Sequence, residues 1–206
     1  MVRPMLCFGD WCIDPAGIDA ESIVYSLGVG EDIEFDQGMI EHFGATIHAF
    51  DPTPNSIQWV KERVDNDCFV FHPVGISDHD GESRIFPRVN RKGKKSRAMY
   101  TVADQGVEVE GINVKMQRLQ TTMAELGHPR IDILKMDIEA AEYAVIDDLL
   151  QSNLDVRQIL VEFHHRFESV GKAKTLQAIK RLNSAGYRIF FISDLGREYS
   201  FVRDIG

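Results

Sequence analysis

From residue 22 onward, short runs of β-branched and aromatic residues alternate with stretches in which apolar residues return every three or four positions. "SIVYSL" (22–27) predicts a strand. Residues 33–43 then set Phe35, Met39, Ile40 and Phe43 at helical spacing. Residues 46–50 predict a second strand, and "DPTPNSIQWVKERV" restarts a helix with proline in its first turn. "CFVFHPV", "RIDILKM" and "RQILVEF" read as further strands. Their almost unbroken apolar character suits a parallel sheet covered by helices on both faces.

The end of the chain departs from that rhythm. "KAKTLQAIKRLNSAGYRIFFISDLGREYSFVR" predicts a helix, a strand, a turn at 194–196 and a last strand. A turn so short forces its two strands to be antiparallel, because a parallel crossover needs a dozen or more residues. The fold class is therefore α/β, a mostly parallel sheet closing with a C-terminal antiparallel hairpin. Residues 1–21, with Trp11 and Pro15 but no period, read as an N-terminal cap on a single domain covering 1–206.

Composition narrows the function classes. The 206 residues are 44% hydrophobic and 27% charged, with a net charge of -9 that opposes binding to nucleic acid or anionic membrane. No apolar run approaches a membrane span, and the first residues lack the core of a signal peptide. Cys7, Cys12 and Cys68 fit no zinc template and are expected as reduced thiols of a cytoplasmic protein.

Candidate chemistry begins at "SLGVGEDIEFD". Gly28 and Gly30 follow the first strand and let the backbone turn close to a ligand. A dinucleotide fingerprint needs a third glycine where Ile33 stands, and Glu31, Asp32, Glu34 and Asp36 would repel a pyrophosphate. A ligand with an ammonium, a sulfonium and no phosphate suits these acids, which points to S-adenosylmethionine. Asp51, about 20 residues on, stands where an acid takes ribose hydroxyls, although Asp51-Pro52 also starts turns and caps helices. In "VGISDHDG", Ile76 could lie against an adenine and Ser77 or Asp78 could meet its amino group; an ordinary polar turn reads equally well.

The second candidate site is "ILKMDIEAAEYAVI". Asp137 ends a strand on the side of the ligand crevice, and Glu139 opens the next helix, while Glu142 reads as part of a solvated helix face. His164 follows "ILVEF" at the end of another strand. Asp137, Glu139 and His164 together form a candidate general-base cluster, histidine having a pKa suited to proton transfer near neutrality. Two carboxylates and an imidazole are adequate ligands for magnesium or manganese, but spacing alone does not bring them together, so no metal is assigned.

"VYSLGVGEDIEFD", "AFDPTP", "ILKMDIEAAEY" and "ILVEFHH" resemble the successive signatures of FkbM-type S-adenosylmethionine-dependent methyltransferases. The resemblance implies a Rossmann-like seven-stranded methyltransferase sheet and S-adenosylhomocysteine as product. It also implies methylation of a hydroxyl on a sugar or other small molecule. In two places the chain departs from the pattern: Ala140 replaces the usual glycine, and the first-strand acid of many methyltransferases is missing around Tyr25 and Ser26. Competing readings are an inactive nucleotide-binding protein, suggested by Ala140, and an NAD-dependent oxidoreductase, disfavoured by Ile33 and the acids. Arg84, Arg88, Arg91, Lys92, Lys94, Lys95 and Arg97 read as a solvated loop, or as a lid that draws in an anionic acceptor. The acceptor's identity and the oligomeric state stay open.

Overall fold

The structure is a computed structural model that describes residues 4–89, 94–102, 105–106 and 108–203. Arg91 and Lys92, and the side chain of Arg97, lie outside the described residues. A small hairpin of β1 (Leu6–Phe8) and β2 (Trp11–Ile13) precedes β3 (Ile23–Leu27), α1 (Glu34–Phe43), β4 (Thr46–Phe50), α2 (Pro54–Arg63) and β5 (Phe69–His72). Four strands then form a second sheet: β6 (Gly75–Ser77), β7 (Gly81–Val89), β8 (Lys95–Thr101) and β9 (Ile112–Arg118). After α3 (Leu119–Leu126) come β10 (Ile131–Met136), α4 (Glu142–Gln151), β11 (Val156–Glu162), α5 (Gly171–Ser184), β12 (Tyr187–Ile192) and β13 (Glu198–Arg203).

The main sheet has seven strands in the order β12-β13-β11-β10-β3-β4-β5. Five of them, from β11 to β5, run parallel, and β13 is antiparallel to both of its neighbours. Central β10 is buried at every position, as its largely apolar run requires, and carries Asp132 and Lys135 into the interior with it. Leu119, Met123, Val145, Ile146, Leu149 and Leu182 of α3, α4 and α5 pack on one side, in a cluster with Leu134 and Met136. Phe35, Met39 and Val60 of α1 and α2 join the other cluster, with Val24, Ile47 and Ile133. Each large apolar side chain so buried contributes roughly 1.5–3 kcal/mol against leaving it in water.

Register levels the strand ends where ligands bind. Leu27 pairs with both Phe50 and Met136, and Met136 pairs with Val161. The residues that follow, Gly28, Asp51, Asp137 and Glu162, therefore stand side by side along the carboxyl edge of the sheet.

Two expectations are corrected. Among the described residues the basic segment is strand and not loop, with Arg84 and Arg88 on β7 and Lys95 on β8: β7 and β8 pair antiparallel, and β9 ties β7 to β6. Alternation explains it, since Ile85 faces a small core with Val114 and Met116 while charged neighbours face outward. Nor are the cysteines all reduced thiols. Cys7 and Cys12 stand opposite one another in the β1–β2 hairpin and are joined by a disulfide, leaving Cys68 free. Among the described residues no helix is long and apolar enough to cross a membrane.

Candidate active site

The glycine turn is built by its neighbours. The Gly28 N–H donates to the Phe50 carbonyl and the Asp137 N–H to the Leu27 carbonyl, each at 2.9 Å. Gly28 has φ +82°, and a Cβ there would lie 1.8 Å from the Asp137 carbonyl oxygen, so only glycine fits. Asp51 is buried, and its Oδ2 accepts the Val29 and Gly30 N–H groups at 3.1 and 3.0 Å. Its Oδ1 accepts the Thr53 N–H at 2.8 Å and the Thr53 hydroxyl at 2.7 Å. Asp51 thus shapes the turn with the same oxygens that a ribose would use, and ribose hydroxyls would have to share them.

Two cavities meet at this turn. The larger, about 390 Å³, is lined by Gly28, Gly30, Glu31, Asp51, Pro52 and Ile76 on the sheet side, with Met99, Tyr100 and Thr101 of β8 across from them. The smaller, about 270 Å³, lies under the β1–β2 hairpin and is lined by Trp11, Asp32, Asp36 and Lys135. Gly28, Val29, Asp32 and Asp137 line both. Ser77 and Asp78 line neither: their side chains bond each other and His79 at the surface. A short strand, β6, carries Gly75 and Ile76 to the cavity and leaves Ser77 at its outer end.

The smaller cavity holds Asp32 and Asp36, two of the acids that follow the glycine turn, together with Lys135, to which the sequence assigns no role. Lys135, buried at the end of β10, lies 4.9 Å from the centre of the Trp11 ring. Asp36 is fully buried, and among the described residues neither carboxylate oxygen accepts a hydrogen bond; burial raises its pKa, and the charge of Lys135 works against that rise. Asp36 lies beside Ser26, so α1 brings a carboxylate to the stretch around Tyr25 and Ser26 where β3 lacks one.

Asp137, Glu139 and His164 do converge. His164 Nε2 lies 3.3 Å from Glu139 Oε2 and 3.7 Å from Asp137 Oδ1. Glu142, expected on a solvated face, is instead wholly buried. Its Oε1 accepts the His164 backbone N–H at 3.0 Å and stands 3.2 Å from Nδ1. The helix begins at Glu142 and not at Glu139, because Glu139 and Ala140 take positive φ values of 50° and 82°. That shift of three residues turns Glu142 inward.

Electrostatics change the role of His164. Burial alone would lower its pKa, but the hydrogen bond and charge of Glu142, with Glu139 and Glu162, raise it to about 9. The ring therefore carries a proton at neutrality, contrary to the expectation of a base poised near pH 7. Burial raises the Glu139 pKa, and burial with the charge of Asp137 lifts Glu162 to about 7. Arg88 donates to both Glu139 oxygens at 3.0 and 3.3 Å and stacks 4.3 Å from the Phe167 ring centre. Thr101 donates to the Glu139 carbonyl, so both strands of the basic hairpin anchor the cluster. Glu162 was overlooked, although it lies two residues before His164 and so on the same side of an extended chain.

Residues 25–189 match the methyltransferase FkbM domain family. The chain is 24% identical over 192 residues to probable methyltransferase-like protein 24 of Homo sapiens, covering 87% of this chain and 45% of that protein. It is 25% identical over 199 residues to the 31-O-demethyl-FK506 methyltransferase FkbM of Streptomyces tacrolimicus, covering 82% and 76% respectively. The chain thus spans about half the length of the human relative. Its fold superposes on the crystal structure of a methyltransferase FkbM from Methylobacillus flagellatus with TM-score 0.53 at 10% identity, over 89% of this chain and 44% of that one. The architecture is that of a Rossmann-like methyltransferase. With its glycine turn and most of its length inside the match, the chain belongs to the FkbM methyltransferase domain family.

Proposed function

We propose that this chain transfers a methyl group from S-adenosylmethionine to a hydroxyl of a sugar or other small molecule. The observation that carries the reading is the pair of cavities joined at Gly28 and Asp137. The larger suits an adenosine, with Ile76 and Pro52 beside the base and Asp51 below the ribose. The smaller suits a charged amino-acid end, with Lys135 for its carboxylate and Asp32 and Asp36 for its ammonium. The sulfonium then falls at the junction, beside Asp137. No phosphate is asked to sit among these acids, which also disfavours a dinucleotide.

Methyl transfer from a sulfonium is an in-line displacement, so alignment and exclusion of water supply much of the rate. The acceptor hydroxyl approaches past Met99 and Tyr100 toward the cluster of Asp137, Glu139 and His164. Asp137 has the most exposed side chain of the three, 37% against 14% and 1%, and is the carboxylate best placed to meet the hydroxyl proton. Glu139 is engaged by Arg88, and His164 supports the pair with its charge. Because Arg88 is spent on Glu139, it offers little to an anionic acceptor. Asp137→Asn is expected to lower turnover at least 100-fold while S-adenosylhomocysteine still binds. A variant with wild-type turnover would remove Asp137 from the chemistry.

A further inference from the structure

We propose that Asp137, Glu162 and His164 form a binding site for one divalent first-row cation such as Mn2+. One ligand atom from each residue lies within 4.8 Å of the others. His164 Nε2 is 3.7 Å from Asp137 Oδ1 and 3.9 Å from Glu162 Oε2, beyond hydrogen-bonding distance. Two donors that share one ion at about 2.1 Å stand about 3 Å apart at right angles and about 4 Å apart across it. The two spacings that involve His164 fall inside that range.

The surroundings of each donor point the same way. His164 is 1% exposed, and Glu142 holds both its backbone N–H and its Nδ1, which aims Nε2 at Glu139, 3.3 Å away, and at the carboxylates of Asp137 and Glu162; an ion bound there displaces the Nε2 proton. A carboxylate behind a histidine is the usual means of orienting such a ligand. Glu162 accepts the Arg166 guanidinium on Oε1 at 2.8 Å, so it is Oε2 that faces the histidine. Glu139 is neutralised by Arg88 and stands beside the site without being needed as a ligand. Asp137 opens onto both cavities, so further positions on the ion would face the acceptor. An imidazole with two carboxylates suits Mn2+ or Zn2+ better than Mg2+. A coordinated acceptor hydroxyl would lose its proton more readily, the ion acting as a Lewis acid. That role rests on the methyltransferase reading; binding of the ion does not.

The test is titration of chelator-stripped protein with Mn2+, followed by calorimetry and by loss of the free-ion electron paramagnetic signal. One Mn2+ per chain is expected. Glu162→Gln and Asp137→Asn should each weaken it at least tenfold, while Asp67→Asn, exposed just before β5 at the amino edge and far end of the sheet, leaves it unchanged. Circular dichroism checks that the variants fold, and the partly exposed Asp137 keeps the test open if Glu162→Gln does not. Absence of saturable binding up to millimolar Mn2+, or wild-type affinity in either folded site variant, overturns the inference. S-adenosylhomocysteine titrated into the same samples separates the two ideas. Binding of the nucleoside without Mn2+ rejects the cation site alone; binding of Mn2+ without the nucleoside rejects the cofactor reading alone.

Discussion

Gly28 and Asp137 touch backbone to backbone: a Cβ on the glycine would stand 1.8 Å from the aspartate's carbonyl oxygen. The contact joins the end of β3 to the end of β10 and sets the distance between the glycine turn and the cluster of Asp137, Glu139 and His164. Gly28→Ala must push the strand ends apart and also hold alanine at φ +82°. Overpacking costs typically 1–3 kcal/mol and a positive φ adds to it, so a loss of about 2–4 kcal/mol is expected. Urea unfolding measures it, and a change below about 0.5 kcal/mol would show that the turn is not so tightly fitted.

Ala140 carries the opposite prediction. Its φ of 82° lies in the left-handed region, where a Cβ is strained. The family's glycine is thereby explained by backbone conformation, and the departure at this position by tolerated strain. Ala140→Gly should stabilise the protein by about 0.5–1 kcal/mol, because relief of strain outweighs the added freedom of the unfolded chain. Urea midpoints of the two proteins decide it; a less stable glycine variant would contradict the strain.

Three histidines away from the site set a pH response. His48 Nδ1 lies 3.1 Å from His72 Nε2, the His48 and His128 ring centres are 4.6 Å apart, and the Tyr25 hydroxyl bonds His128 Nδ1 at 2.9 Å. Burial, with the charges of His128 and His72, lowers the His48 pKa to about 4, and burial lowers His72 and His128 as well. Below about pH 6.5 the unfolded chain gains protons that folded His48 refuses, so stability is whole above 6.5 and falls as pH drops toward 4. Melting temperature against pH should flatten over that window in His48→Gln. An unchanged slope would exclude the cluster as its source.

Much of this arrangement was legible as pattern. The strands at 22–27, 46–50 and 131–136 announced themselves because they are buried on both faces, which leaves apolar runs and sharp ends. The second sheet did not, because the arginines and lysines of 84–97 masked a two-residue period that only Ile85 and Pro87 keep on the inner side. Glu142 was misread because its burial depends on where α4 begins, and positive φ at Glu139 and Ala140 decides that. The Cys7–Cys12 bridge follows from hairpin register, which spacing in so short a segment does not reveal. Convergence of Asp137 with His164 was expected from two strand ends, and the register of β10 with β11 accounts for it.

Calorimetric titration of the purified protein with S-adenosylhomocysteine, beside a parallel titration with NAD, tests the central claim most directly. The joined cavities predict saturable binding of S-adenosylhomocysteine at one site per chain and none of NAD. Binding of NAD, or of neither, would contradict the assignment of the glycine turn and its acids to a sulfonium cofactor.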